Sequence, residues 1–151
     1  MSLLNTSHQT QLRDSWCLPA CIAIVSAFYG RAEQQATLAR WLGTTEIGTP
    51  ARNIGRLESR GFRVGYQEGS FQFLSDALQA GTPCIIFLRT GDLPYWIVDT
   101  AHAVVLAGID ENQAYLYDPV FSDAPMVVPI SDLLLAWSSF DYAVATLIPT
   151  T

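Results

Sequence analysis

The stretch QLRDSWCLPACIAIVSAFYG, residues 11–30, decides how the rest of the chain is read. Ala20, Cys21, Ile22, Ala23, Ile24, Val25, Ala27 and Phe28 make it apolar on nearly every side of a helical wheel. A helix with no polar face has to be covered all round, so the pattern predicts a buried central helix over 18–29. Pro19 suits a first-turn position, where its missing N–H is not needed, and Gly30 suits the stop. A side chain at the start of such a helix is held rigidly, and here it is Cys17, preceded by polar Asp14 and Ser15.

Outward from this helix, 34–42 reads as a second helix ended by Gly43, and Thr49-Pro50 opens a third that runs to Arg60 and stops at Gly61. A strand is expected over 62–67. Ser70 caps a helix to Ala80 with Gly81 as its terminator, and 83–88 is a continuous β-rich apolar run, which predicts a fully buried strand. A loop over 90–100 carries Leu93-Pro94-Tyr95-Trp96. Two strands, 102–109 and 114–117, flank Asp110-Glu111-Asn112; 126–130 is another, Ser131 caps a helix to Trp137, and 142–148 closes the sheet. Helices first and antiparallel strands later is an α+β order, not alternating βαβ units.

The chain has 151 residues, half of them apolar and 15% charged, with a formal net charge of −6. That length is expected to form one domain, 1–151, and to bury a core without a disulfide framework or structural metal. High apolar content and sparse charge exclude disorder. Arginines spread thinly from Arg13 to Arg89 leave no basic stripe for a phosphate backbone, so nucleic acid is not an expected partner. No apolar stretch approaches the roughly 18 residues that cross a bilayer, and the N-terminus lacks a cationic region followed by an apolar core. Three cysteines cannot all pair, and neither C-x-x-C nor a Cys/His metal spacing occurs, which favours a reduced, cytoplasmic setting. A lost signal sequence or an excised domain of a larger protein would read the same way.

Cys17 is the residue that could carry chemistry, because the start of a helix favours negative charge and so a thiolate. Cys21, one turn on, and Cys84, inside a strand, fit the ordinary buried structural cysteine. A thiolate needs a base. His8 lies in a polar leader, whereas His102 opens an apolar strand directly after the Trp-bearing loop. Asp118, in an Asp-Pro pair, is a candidate to orient the ring. If pairing is centred on Asp110, residues 102 and 118 stand opposite with Cβ atoms about 5 Å apart, and a one-residue slip separates their faces. Asp99 and Asp141 compete for this role. An amide donor for a developing oxyanion is available in Gln11, six residues before Cys17, or in Gln9.

In this order Gln11, Cys17, His102 and Asp118 resemble the papain-like cysteine peptidases of the bacteriocin-processing type, which remove double-glycine leader peptides. The likeness covers almost the whole chain. It includes the glutamine six residues before the cysteine, the apolar helix ending in FYG, the histidine strand HAVVLAGID, the D-P pair in YLYDPV and the closing LLLAWSSFDYAVATLIP. The resemblance implies a papain-like fold, an N-terminal buried helix carrying the cysteine packed on a mostly antiparallel β-sheet. It implies peptide hydrolysis by Cys17, His102 and Asp118, with Gln11 and the Cys17 N–H as oxyanion donors and with no metal or organic cofactor.

Where the family has Asp-Cys-Gly, this chain has Trp16-Cys17-Leu18, and no ATP-binding motif accompanies the domain, so a free-standing relative is expected. Trp16 is expected to wall the cleft; Tyr95 and Trp96 either contact substrate or anchor the core. The substrate is a peptide or a small acyl compound. An acyltransferase or amidase would use the same groups, and the Trp16 and Leu18 replacements also fit a catalytically silent peptide-binding module.

Overall fold

The helix expected over 18–29 is α1, Cys17–Phe28, in which residues 18–26 are buried without a break. The computed structural model describes residues 3–150. After α1 come α2 (Gln35–Leu42), a 3₁₀ helix (Ala51–Arg60), β1 (Phe62–Glu68), α3 (Phe71–Gln79), β2 (Cys84–Arg89), β3 (Ala101–Ile109), β4 (Gln113–Tyr117), β5 (Met126–Pro129), α4 (Ile130–Ser138) and β6 (Ala143–Pro149). The strands form one sheet in the order β1-β6-β2-β3-β4-β5, and each neighbouring pair is antiparallel.

Helices cover both faces of this sheet, which explains the apolar runs. On one face α1, flanked by α2 and the 3₁₀ helix, packs Leu18, Ile22 and Val25 with Ile85, Phe87, Ala103 and Val105. On the other, α3 and α4 bring Leu74, Leu133 and Trp137 against Cys84, Ile86, Leu88, Val104 and Leu106. A strand buried on both sides has no polar positions to alternate, so β2 reads as continuous CIIFL. Because α1 is enclosed by α2 and the sheet, its first residue has a fixed position.

Two local expectations are corrected. The third helix is 3₁₀: its inward residues Ala51, Ile54 and Leu57 recur every third position, the period of a 3₁₀ turn. Ser131 does not cap α4. That helix begins at Ile130, whose N–H donates to the Asn112 carbonyl at 2.9 Å, so the β3–β4 turn does the capping. The polar leader is tied to the body of the domain. Leu4 N–H donates to Ala107 O (2.8 Å), Gln11 N–H to Pro119 O (2.7 Å) and the Thr6 hydroxyl to Ile24 O (3.1 Å), strapping it across β3 and α1.

The register of β3 and β4 also differs from the expected centre at Asp110. Val105 pairs with Tyr117 and Leu106 with Leu116, but Gly108 pairs with Tyr115, so Ala107 is an extra residue, a β-bulge. Continuing the ladder puts Asp118 beside Val104, diagonal to His102 and on its face. Without the bulge Asp118 would fall beside Val105, whose side chain points to the opposite face. The Ala107 carbonyl freed by the bulge is the one that Leu4 caps.

Candidate active site

Cys17 stands at a helix start that its own neighbours leave open. Trp16 at the cap position supplies no side-chain hydrogen bond, no acidic residue occupies the first turn, and Pro19 has no N–H. The N–H groups of Cys17 and Leu18 therefore form the positive end of the helix dipole next to the sulfur. Cys17 is partly exposed and lines a cavity of about 240 Å³ with Leu18, Phe87, His102, Ala103 and Phe140.

His102, near the start of β3, is 7% exposed, and Asp118, just past the end of β4, is fully buried. The two are joined by His102 Nε2 and Asp118 Oδ1 at 2.7 Å. With Nε2 engaged by Asp118, Nδ1 is the ring nitrogen left over, and Cys17 lines the same cavity as His102. Strand alternation groups His102 with Val104 and Leu106, whereas Cys17 packs with the core on the other face of the sheet. The site thus lies at the end of the sheet where the two cores meet.

Asp118 receives three further donors. Tyr95 Oη donates to Oδ2 at 2.7 Å, Trp96 Nε1 to the same oxygen at 2.9 Å, and Val120 N–H to Oδ1 at 3.0 Å. The Trp96 ring also meets His102 edge-on, with centroids 5.0 Å apart. Burial opposes charge on His102, but the hydrogen bonds and negative charge of Asp118 and Cys17 outweigh it and push the imidazole up to about 9. Burial likewise opposes the Asp118 carboxylate, yet His102, then Trp96 and Tyr95, hold it below the ordinary carboxylate value. At neutral pH the pair is an imidazolium and a carboxylate. Tyr95 is kept protonated by burial and by the Asp118 charge.

The other two thiols are locked in the protonated form. Burial, then the charges of Cys17 and Asp118, raise Cys21 well above the usual thiol range, and its Sγ donates to Ala103 O at 3.3 Å. Burial pushes Cys84 up to about 12. One turn below Cys17, Cys21 therefore ties α1 to the residue after His102.

The remaining expected site residues have partners other than Cys17, His102 and Asp118, except Tyr95 and Trp96. The Gln11 amide Nε2 donates to the carbonyls of Arg13 (3.1 Å) and Asp14 (2.9 Å), so it braces the loop leading into Cys17 while its Oε1 is buried without a partner. Gln9 Oε1 accepts from Gln35. Asp99 pairs with Arg89, and Asp141 lies in the turn before β6 at φ 52. Trp16 lies under the Arg13 guanidinium. Neither Trp16 nor the pair Tyr95 and Trp96 is among the residues that line the cavity; Tyr95 and Trp96 present their polar tips to Asp118. The clue in the sequence was that both are amphipathic rings with a donor at the tip, which seek a partner when buried. Among the described residues no three His, Cys, Asp or Glu side chains converge as metal ligands would, and no helix is long and apolar enough to cross a membrane.

Compared with known proteins, residues 3–144 match the family model described as Peptidase_C39 like family. Among solved structures the chain is similar to a protein from Bacillus anthracis described as a C39-like peptidase, with 18% identity over 97% of this chain and 96% of that one and a TM-score of 0.77. It is similar to the peptidase domain of Streptococcus ComA, a bi-functional ABC transporter involved in a quorum sensing pathway, with 22% identity, 96% and 99% coverage and a TM-score of 0.78. A double glycine motif protease from an AMS/PCAT transporter, in complex with its leader peptide, gives 21% identity, 99% and 95% coverage and a TM-score of 0.72. No curated protein matches the chain. The α+β architecture, with the cysteine on the first helix, is therefore that of the papain-like C39 peptidase domains.

Proposed function

Since this chain belongs to the Peptidase_C39 like family, we propose that it is a cysteine peptidase whose nucleophile is Cys17. The observation that carries this reading is His102, held at one nitrogen by a fully buried carboxylate and sharing the wall of a cavity with Cys17. A peptide substrate draws support from the AMS/PCAT transporter protease, which was solved with a leader peptide bound.

In this mechanism the Cys17 thiolate adds to the scissile carbonyl carbon, and the oxyanion that forms is met by the Cys17 N–H at the open helix start. The His102 imidazolium gives its proton to the amide nitrogen as the C–N bond breaks, releasing the amine and leaving a thioester on Cys17. Neutral His102 then takes a proton from water, the hydroxide displaces the thiolate, and the acid product departs. Asp118 holds the ring so that Nδ1 stays aimed at the sulfur. Gln11 is the second oxyanion donor. To serve, it turns one N–H away from the Arg13 or Asp14 carbonyl, so its contribution is smaller than that of Asp118.

Two measurements test the reading together. At pH 7 iodoacetamide labels Cys17 stoichiometrically while the buried Cys21 and Cys84 are spared, read by peptide mapping. Purified protein hydrolyses peptides in a reaction that this labelling stops. Uniform slow labelling of all three thiols, or hydrolysis that survives alkylation of Cys17, overturns the proposal. Acyl transfer to an added amine without any hydrolysis would keep the nucleophile and replace the peptidase by an acyltransferase.

A further inference from the structure

The cavity beside Cys17 does not end at the catalytic residues. Its residues 47–50, Ile47, Gly48, Thr49 and Pro50, also form a wall of a second cavity of about 530 Å³, which Arg52, Asn53 and Arg56 line on its far side. We propose that these are two joined substrate subsites: the first takes an apolar side chain flanking the scissile bond, and the second takes an acidic side chain of the same peptide on Arg52 and Arg56. This deepens the peptidase reading and rests on it.

Three features support the assignment. The first cavity is walled near the sulfur by Leu18, Phe87, Phe140 and Ala51, which can repay burial of an apolar group and offer nothing to a polar one. Glycines flanking the bond would leave this space unfilled, in contrast to the double glycine motif protease among the similar structures.

The ridge between the cavities is a rigid turn. Thr45 and Gly48 exchange both backbone hydrogen bonds, at 3.0 and 3.1 Å, and the Thr44 and Thr49 hydroxyls meet at 2.6 Å. Ile47 at its tip is 98% exposed. An isoleucine fixed in water between two cavities is placed to grip an extended chain that crosses from one to the other.

The far subsite has charge to spare. The chain carries a net charge of −6, and among the described residues only Arg31 and Arg89 pair with carboxylates. Arg52 makes no hydrogen bond among those described. Arg56 makes one, from Nη1 to the Leu42 carbonyl at 3.3 Å. That bond braces Arg56 at the end of α2, where a side chain on Gly43 would collide with the Arg56 guanidinium and where φ is +69°. Glu46, on the ridge, lines neither cavity and forms no ion pair with either arginine. A carboxylate entering the second cavity therefore meets two guanidinium groups with free donors.

Binding to the Cys17→Ala variant tests the proposal without turnover. Fluorescent peptides carry Leu or Gly on either side of the bond and a Glu, or Gln as control, walked along both flanks; Kd is read by anisotropy. Leu is expected to bind about tenfold tighter than Gly. In one register Glu is expected to bind about fivefold tighter than Gln, an advantage that fades in 0.5 M salt. Adding Arg52→Gln reduces that advantage, and Arg52→Glu reverses it in favour of Lys at the same position. Equal binding of Leu and Gly peptides overturns the apolar subsite. A Glu preference absent in every register, or unchanged by Arg52→Glu, overturns the cationic one. Arg56 is left intact because it also braces α2. Wild-type hydrolysis of the same peptides is scored separately: selective binding with no cleavage would defeat the peptidase proposal and leave the two subsites standing.

Discussion

His102 stands between two opposite kinds of protein. On the Nε2 side Asp118 is fully buried and takes four donors, from His102, Tyr95, Trp96 and Val120. On the other side Cys17 is partly exposed, at a helix start whose N–H groups are open and at the wall of an apolar cavity. One side fixes the ring's direction before any ligand arrives; the other, in the peptidase proposed above, is where the atoms that react would enter. A saturated polar cluster resists motion because each donor lost exposes a buried group, whereas open N–H groups are useful only when a new charge develops beside them.

The comparison is broken most severely from the open side. Cys17→Ala is expected to lower kcat/KM for peptide hydrolysis by at least about 10⁴-fold, because no other group supplies the nucleophile. Its melting temperature should stay within about 2 °C of wild type, since little buried surface is lost. Appreciable residual turnover in a sample free of other peptidases would remove Cys17 from the mechanism.

On the closed side Asp118→Asn should act on both rate and stability. An amide in place of the carboxylate cannot accept all four donors and turns an N–H toward one of them. The rate is expected to fall by about 10²- to 10⁴-fold through loss of ring orientation. Stability should fall by about 1–3 kcal/mol for the unsatisfied group, read as a lower melting temperature in calorimetry. An unchanged rate with lowered stability would make Asp118 a structural residue.

These two sides were not equally legible in the sequence. α1, β2 and β3 could be read because burial on all sides leaves an unbroken apolar signature, and Ser70 could be read as a cap because its hydroxyl does accept from Phe73 N–H. The pairing of His102 with Asp118 was harder. Residues 102 and 118 share a face through a bulge at Ala107 whose free carbonyl is taken by Leu4, about a hundred residues away in the chain. Nothing local marks that bond. The donors on Asp118 were hidden for the same reason: Tyr95 and Trp96 advertise aromatic bulk, while the partner that orients them is more than twenty residues on. Cys17 could be singled out from its helix, but the bonds that Gln11 makes to the carbonyls before it depend on a loop conformation that composition does not specify.

A smaller effect sharpens the comparison. Tyr95→Phe removes one donor from Asp118 Oδ2 and leaves Trp96 in place. With less support the carboxylate becomes easier to protonate, so the acid limb of the kcat/KM profile should move to higher pH, while the rate on the plateau falls by less than about tenfold. Loss of stability with an unmoved acid limb would confine Tyr95 to core packing.

The mildest test reads the two sides through the pH dependence of stability. The folded protein holds the His102 proton up to about 9, well above the ordinary imidazole value near 6.5 in the unfolded chain. Its contribution is therefore complete below about pH 6.5 and is lost as pH rises through about 9. Asp118 has the opposite sign: its carboxylate is depressed, so its contribution is present above about pH 4 and is lost as pH falls further. The difference in unfolding free energy between wild type and His102→Gln should therefore be widest between those limits. It should shrink on the alkaline side by no more than about 3 kcal/mol, the full equivalent of the His102 shift. Part of that shift comes from Cys17, so in the Cys17→Ala background the alkaline decline should be smaller and should end at lower pH. In the Tyr95→Phe background it is the acid edge that should move, upward. A difference that stays flat from pH 6.5 to 9 would mean that the charge on His102 is not coupled to folding, and the contrast between its two nitrogens would then be geometric alone.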